Sequence, residues 1–132
     1  MTNSAKRFLI VDDDPLNNIV SKMVLKKSFG EVVVKDFIIP ELALEHIETE
    51  FEHKQFEEKT TLLLDINMPS ITGWEFLDIF KTFAEPVKNQ FNIYILSSSV
   101  DIIDIQRAKQ NPLVIDFIEK PLKKDVLIKM FG

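Results

Sequence analysis

Residues 61–70 read TLLLDINMPS. Three leucines run straight into Asp65, and after Ile66 and Asn67 comes the pair Met68-Pro69. A short apolar run without alternation fits a strand buried on both faces of a parallel sheet. Any small polar residue would end such a strand in a turn. A carboxylate at the point where the run leaves the core therefore needs a chemical reason.

Four further runs share this character: Phe8–Val11, Val32–Lys35, Asn92–Leu96 and Val114–Ile118. Segments with helical spacing lie between them. Asp14-Pro15 reads as an N-cap followed by proline at the first helical position, Leu16, Ile19, Val20, Met23 and Val24 form a stripe, and Gly30 supplies the stop. Thr72 and Glu75 have capping-box spacing ahead of Phe76, Leu77, Phe80, Phe83 and Ala84. Pro40–Phe51, Asp101–Gln110 and Lys123–Phe131 complete the helices. The order is (βα)₅, and right-handed crossovers then predict an open parallel α/β sheet with helices on both faces.

The 132 residues make one domain, 1–132, able to bury roughly two-thirds of its unfolded surface. Apolar residues are 45% of the chain and charged residues 28%, which argues against a disordered chain. There is no cysteine, so neither disulfides nor thiolate metal sites are available. The net charge of −5 argues against direct binding to nucleic acid or to an anionic membrane. After a short polar lead a run of only four apolar residues precedes Asp12, too short for a signal peptide or a membrane span, and a cytoplasmic location is expected. The charged segment Glu50–Thr60 reads as a solvated helix extension and loop.

In a parallel α/β sheet, ligands bind beyond the carboxyl ends of the strands. Asp12, Asp13 and Asp14 follow the first strand, Asp65 ends the third, Ser97, Ser98 and Ser99 follow the fourth, and Lys120 follows the fifth. Crowded aspartates repel one another, and a hard divalent cation removes that penalty. Mg²⁺ takes oxygen ligands, keeps several waters and often shares its shell with phosphate, so an aspartate cluster without His or Cys suits it better than zinc. A serine hydroxyl and an ammonium suit phosphoryl oxygens, and an aspartate can be the nucleophile that accepts the group. Asp14 is expected to be only an N-cap, Trp74 and the Phe76, Phe80, Phe83 series packing residues, and His46 and His53 surface residues. Of the adjacent Ile102 and Ile103, one is expected to stay exposed.

FLIVDDDP, LLLDINMPSITGWEFL, YILSSS and DFIEKPL, in this order and each at a strand end, resemble the receiver domain of response regulators, the CheY-like phosphoacceptor module of two-component signalling. The resemblance spans nearly the whole chain. It implies a flavodoxin-like doubly wound sandwich with strand order 2-1-3-4-5. It implies Asp65 as phosphoacceptor, Asp13 as a direct Mg²⁺ ligand, Asp12 acting mostly through water, and Asn67 lending its backbone carbonyl to the metal. Ser97 takes the place of the switch hydroxyl, Lys120 of the lysine that contacts the phosphoryl group, and Phe117 of the switch aromatic. The Lys120-Pro121 bond matches one that is cis in the family.

The implied partners are a histidine kinase or histidine phosphotransfer protein as donor, and a downstream protein that reads the surface of the fourth helix, fifth strand and fifth helix. Phosphorylation and dephosphorylation of itself would be its only chemistry, so it is not expected to be an enzyme in the usual sense. The chain ends about where the fifth helix should finish, which implies no DNA-binding effector. Ile39-Pro40, Asn111-Pro112, Ser98 and the length of Glu50–Thr60 depart from the family pattern, and Asn67 and Ser99 occupy positions that tune dephosphorylation there. Two other readings remain: a haloacid-dehalogenase-type phosphohydrolase with Asp12 as nucleophile, and a receiver fold that serves as an unphosphorylated scaffold.

Overall fold

The computed structural model describes residues 5–98 and 101–132. Its five strands, β1 (Lys6–Val11), β2 (Val32–Phe37), β3 (Thr60–Asp65), β4 (Phe91–Ser97) and β5 (Val114–Glu119), form one sheet in the order β2-β1-β3-β4-β5. Every pairing is parallel, with Leu9 opposite Leu62 and Asp65 opposite Leu96. β3 is central and buried along its whole length. Leu62, Leu63 and Leu64 are wholly enclosed, each worth roughly 1.5–3 kcal/mol of burial. That anchorage leaves the residue ending the strand, Asp65, little freedom to move.

The strand period of two sorts side chains between two cores. Leu9, Val11, Leu62, Leu64, Ile93 and Ile95 face one side, where α2 (Pro40–His53) supplies Ala43, Leu44 and Ile47. On that side α3 (Gly73–Phe80) adds Phe76, Leu77 and Phe80, and α5 (Ile102–Gln110) adds Ala108. Phe8, Ile10, Leu63, Leu96 and Ile118 face the other side, against Leu25 of α1 (Pro15–Phe29) and Leu127 of α6 (Lys124–Phe131). β2 and β5 are half exposed rather than buried on both faces, because each is an edge with one neighbouring strand. Among the described residues no helix is long and apolar enough to cross a membrane.

The caps fall where their residue types predict. The Asp14 carboxylate accepts from the Leu16 amide at 2.9 Å, and Gly30 closes α1 at φ 73° with its N–H on the Lys26 carbonyl at 2.8 Å. Thr72 and Glu75 form the reciprocal capping box of α3, at 3.1 and 2.9 Å. Of the apolar stripe of α1, however, only Val24 packs on the core: Leu16 is 65% exposed and Met23 52%, Ile19 and Val20 are exposed with them, and Asn18, Ser21 and Leu25 are buried instead. The helix is turned this way because the Asn18 amide donates to the Asp12 carbonyl at 3.0 Å and Lys22 pairs with Asp36 of β2 at 2.9 Å.

The stripe of α3 also stops short. The helix ends at Phe80, Phe83 lies in the following turn against the Phe80 ring, and Ala84 caps an additional one-turn helix, α4 (Glu85–Lys88), opened by Pro86. α2 extends to His53, but the charged segment after it is not merely solvated. Phe51 packs on Phe56 and Phe91, and the Gln90 amide donates to the Phe51 carbonyl at 2.8 Å. His53 is exposed, whereas His46 is half-buried between Phe37 and Phe51. Both Ile102 and Ile103 stand exposed on α5.

Candidate functional site

β1 delivers Asp12 to the carboxyl edge of the sheet and several contacts fix it there. Its N–H donates to the Phe37 carbonyl at 3.1 Å and its carbonyl accepts from Asn18. One carboxylate oxygen accepts from the Asp14 N–H at 3.0 Å, and the other from Lys120 Nζ at 2.7 Å. Asp12 is 1% exposed and Asp65 is 5% exposed. Lys120 Nζ also lies 3.4 Å from Asp65 Oδ1, so one ammonium spans the ends of β1 and β3. The Lys120 N–H donates to the Ser97 carbonyl at 2.8 Å, which ties the loop after β5 to the end of β4, and the Lys120-Pro121 bond is cis.

Asp13 is partly exposed beside them. One oxygen each from Asp12, Asp13 and Asp65 can lie within 4.8 Å of one another. A purely carboxylate cluster at that spacing, with neither histidine nor cysteine, fits a small hard cation such as Mg²⁺. Burial pushes the Asp65 carboxyl up to about 6, with Asp12 and Asp13 adding to the shift and Lys120 opposing it. For Lys120, burial favours the neutral amine, but the hydrogen bond to Asp12 and the charges of Asp65 and Asp12 outweigh it, and its pKa is raised. The edge therefore holds a carboxylate whose charge is poorly compensated by protein groups alone.

The other expected site residues are placed as follows. Ser97 is buried at the end of β4, and Asn67 is exposed in the loop two residues after Asp65. Phe117 is half-buried in β5, packs against the α2–α3–α5 core, and lines a cavity of about 260 Å³ with Lys120, Pro121 and Met130. Asp14 is the N-cap of α1, and Trp74 is a buried packing residue of α3. Ser99 lies outside the described residues.

Two contributors escape sequence reasoning. Asn18 holds the Asp12 backbone, and its only sequence signal is a polar residue flanked by the apolar positions of α1. Gly73 opens α3 directly under the acidic loop: a Cβ there would come 2.6 Å from the Asp65 carbonyl oxygen and 3.0 Å from the Ile66 Cα. Its N–H donates to the Ile66 carbonyl at 2.8 Å. The absence of a side chain at position 73 is what lets the helix start so close to the end of β3.

A profile of the response regulator receiver domain matches residues 8–131. A response regulator receiver protein from Dyadobacter fermentans superposes with a TM-score of 0.82 at 30% identity, over 97% of this chain and 99% of that one. A two-component response regulator from Cytophaga hutchinsonii gives 0.85 at 26% identity, over 98% and 96% of the two chains. The chemotaxis protein CheY4 of Vibrio cholerae shares the fold, with a TM-score of 0.72 at 20% identity and 96% of each chain covered. No curated protein sequence matches the chain. With its strand order, its acidic carboxyl edge and a profile match over nearly all its length, the chain belongs to the response regulator receiver domain family.

Proposed function

We propose that this receiver domain accepts a phosphoryl group on Asp65 from a phosphohistidine and passes the signal to a protein partner. The observation that carries the reading is the meeting of Asp12, Asp13 and Asp65 at the carboxyl edge, with Lys120 on Asp12 and Asp65. An Asp65 oxygen attacks phosphorus as the P–N bond of the donor breaks, and the histidine leaves as imidazole. Lys120, already 3.4 Å from Asp65 Oδ1, pairs with a phosphoryl oxygen, and the Ser97 hydroxyl donates to another. Mg²⁺, for which receiver domains generally have an acidic pocket, would be held by Asp12, Asp13, Asp65 and the Asn67 carbonyl. Its charge would offset that of the carboxylates and phosphoryl oxygens.

Phosphorylation draws Ser97 toward the new group and shifts Phe117, which biases two states of the surface formed by α5, β5 and α6. Ile102, Ile103, Ile115 and Ile128 stand exposed on those elements, as a partner-reading surface requires. The donor must reach a carboxylate that is nearly enclosed, so it has to rest on the rim. The exposed Leu16, Ile19, Val20 and Met23 of α1 begin two residues beyond Asp14 and supply an apolar seat for it.

Labelling with acetyl phosphate and Mg²⁺, followed by borohydride reduction and peptide mass spectrometry, tests the acceptor. The expected label falls on Asp65 and disappears both in Asp65→Asn and on chelation of Mg²⁺. A label on Asp12 would instead indicate haloacid-dehalogenase-type chemistry, and no label at all an unphosphorylated scaffold.

A further inference from the structure

We propose that Asn18 is a positioning residue for the acidic edge: through the Asp12 carbonyl it fixes the peptide from which the Asp13 carboxylate is aimed toward Asp12 and Asp65. The inference rests on the Mg²⁺-dependent reading of that edge and adds to it a residue outside the carboxylate cluster. Asp12 and Asp65 are each fastened at the carboxylate by protein groups. The Asp14 N–H and Lys120 Nζ hold the first, and Lys120 Nζ lies 3.4 Å from the second. Asp13 differs from both. Among the described residues its carboxylate has no hydrogen bond and no ion pair, so its direction is set by its backbone.

The Asp12 carbonyl lies in the rigid peptide plane that joins Asp12 to Asp13, and the Asn18 amide donates to it at 3.0 Å. Asn18 is itself held, because its backbone N–H donates to the Asp14 carbonyl at 3.2 Å in the first turn of α1. The loop from Asp12 to Asp14 is thereby pinned to the helix. The amide is also costly where it stands. Asn18 is 1% exposed and its Oδ1 is buried without a hydrogen-bond partner, whereas Leu25, two turns on along the same buried face, is apolar. A buried, unmatched acceptor costs free energy, so packing alone does not account for an asparagine here. What an apolar side chain would lack is the N–H on the Asp12 carbonyl. The reversed amide would set Oδ1 against that carbonyl, acceptor facing acceptor. Groups that orient metal ligands from behind are commonly worth roughly 10–100-fold in metal affinity.

The full chain is titrated by NMR with Mg²⁺, and in parallel with Ca²⁺, at constant ionic strength, and thermal midpoints are measured alongside. Asn18→Ala should weaken Mg²⁺ binding about tenfold. Mg²⁺ demands near-ideal octahedral geometry while Ca²⁺ accepts irregular shells, so a misaimed Asp13 should cost Ca²⁺ binding less than about threefold. Asn17→Ala is the control: this neighbouring asparagine of the same turn makes no side-chain hydrogen bond among the described residues, and both affinities should stay as in the parent.

Asn18→Leu keeps the branched side chain but lacks the donor; it should show the same selective loss, and it carries the test if the alanine variant does not fold. Unchanged Mg²⁺ affinity in the Asn18 variants would overturn the proposal, whatever happens to the thermal midpoint, because a purely structural role moves the midpoint alone. Equal losses for Mg²⁺ and Ca²⁺ would overturn it as well, since general loosening of the edge does not discriminate between the ions. A parent chain with no saturable Mg²⁺ response would instead overturn the reading of the acidic edge, and this inference with it.

Discussion

Burial and two neighbouring acids push Asp65 up to about 6, and Lys120 alone pulls against them. The folded chain therefore binds a proton at Asp65 that the unfolded chain, titrating near 3.8, has already lost between those two values. Stability falls as pH rises through that window, because the native state holds more protons than the unfolded one. The favourable contribution is complete below about 4 and gone above about 6. In chelator, Asp65→Asn should be more stable than the parent at pH 7.5 by about 2 kcal/mol, measured by denaturant unfolding. That gap should close toward pH 4, where the parent carboxyl is also neutral. A gap that is constant from pH 4 to 8 would show that Asp65 carries no such strain. The cost of holding an uncompensated carboxylate is the counterpart of its proposed role, since functional sites commonly trade stability for chemistry.

At the scale of elements, the start of α3 sets the geometry under the acidic loop. Alanine normally gains up to ~1 kcal/mol over glycine in a helix, but here its Cβ would meet backbone at 2.6 and 3.0 Å, which cannot swing aside. Overpacking of this kind costs roughly 1–3 kcal/mol, so Gly73→Ala should lower stability by about 1–2 kcal/mol. It should also slow acetyl phosphate labelling, as Asp65 is displaced. Unchanged unfolding and labelling would show that the loop yields freely. Elements whose ends carry local chemistry were legible in the sequence: Asp14-Pro15, Gly30 and the Thr72–Glu75 box act on their own neighbours, and the leucines of β3 need only a core. What depends on distant partners was not legible. The apolar spacing of α1 marks a helix but not its buried face, which Asn18 and Lys22 decide through Asp12 and Asp36. The edge status of β2 and β5 follows from strand order, and the half-burial of His46 from Phe37 and Phe51. The strand-end acids, Ser97 and Lys120 were readable because a parallel sheet brings such positions to one edge whatever the loops do.

Across the whole molecule, the acidic edge and the exposed stripe of α1 are continuous, since the stripe begins beside the N-cap that follows Asp12 and Asp13. Ile38, Ile39 and Leu42, at the carboxyl end of β2 and the start of α2, are exposed at the same edge of the sheet. Exposed apolar side chains at helical spacing fit a face that a partner covers, and the proposed protein donor would supply that cover. A small phosphodonor has no use for it, because acetyl phosphate needs only the cleft. A protein donor needs both the cleft and the seat. Ile19→Ser together with Met23→Ser should therefore leave the thermal midpoint and the acetyl phosphate labelling of Asp65 nearly as in the parent. Transfer from the phosphorylated histidine protein that serves it, found by profiling the histidine kinases of the source organism, should slow about tenfold or more. Equal slowing with both donors would place the defect in the cleft, and unchanged transfer from the protein would show that the donor docks elsewhere. The separation of the two rates is what distinguishes a docking face from a part of the reacting site.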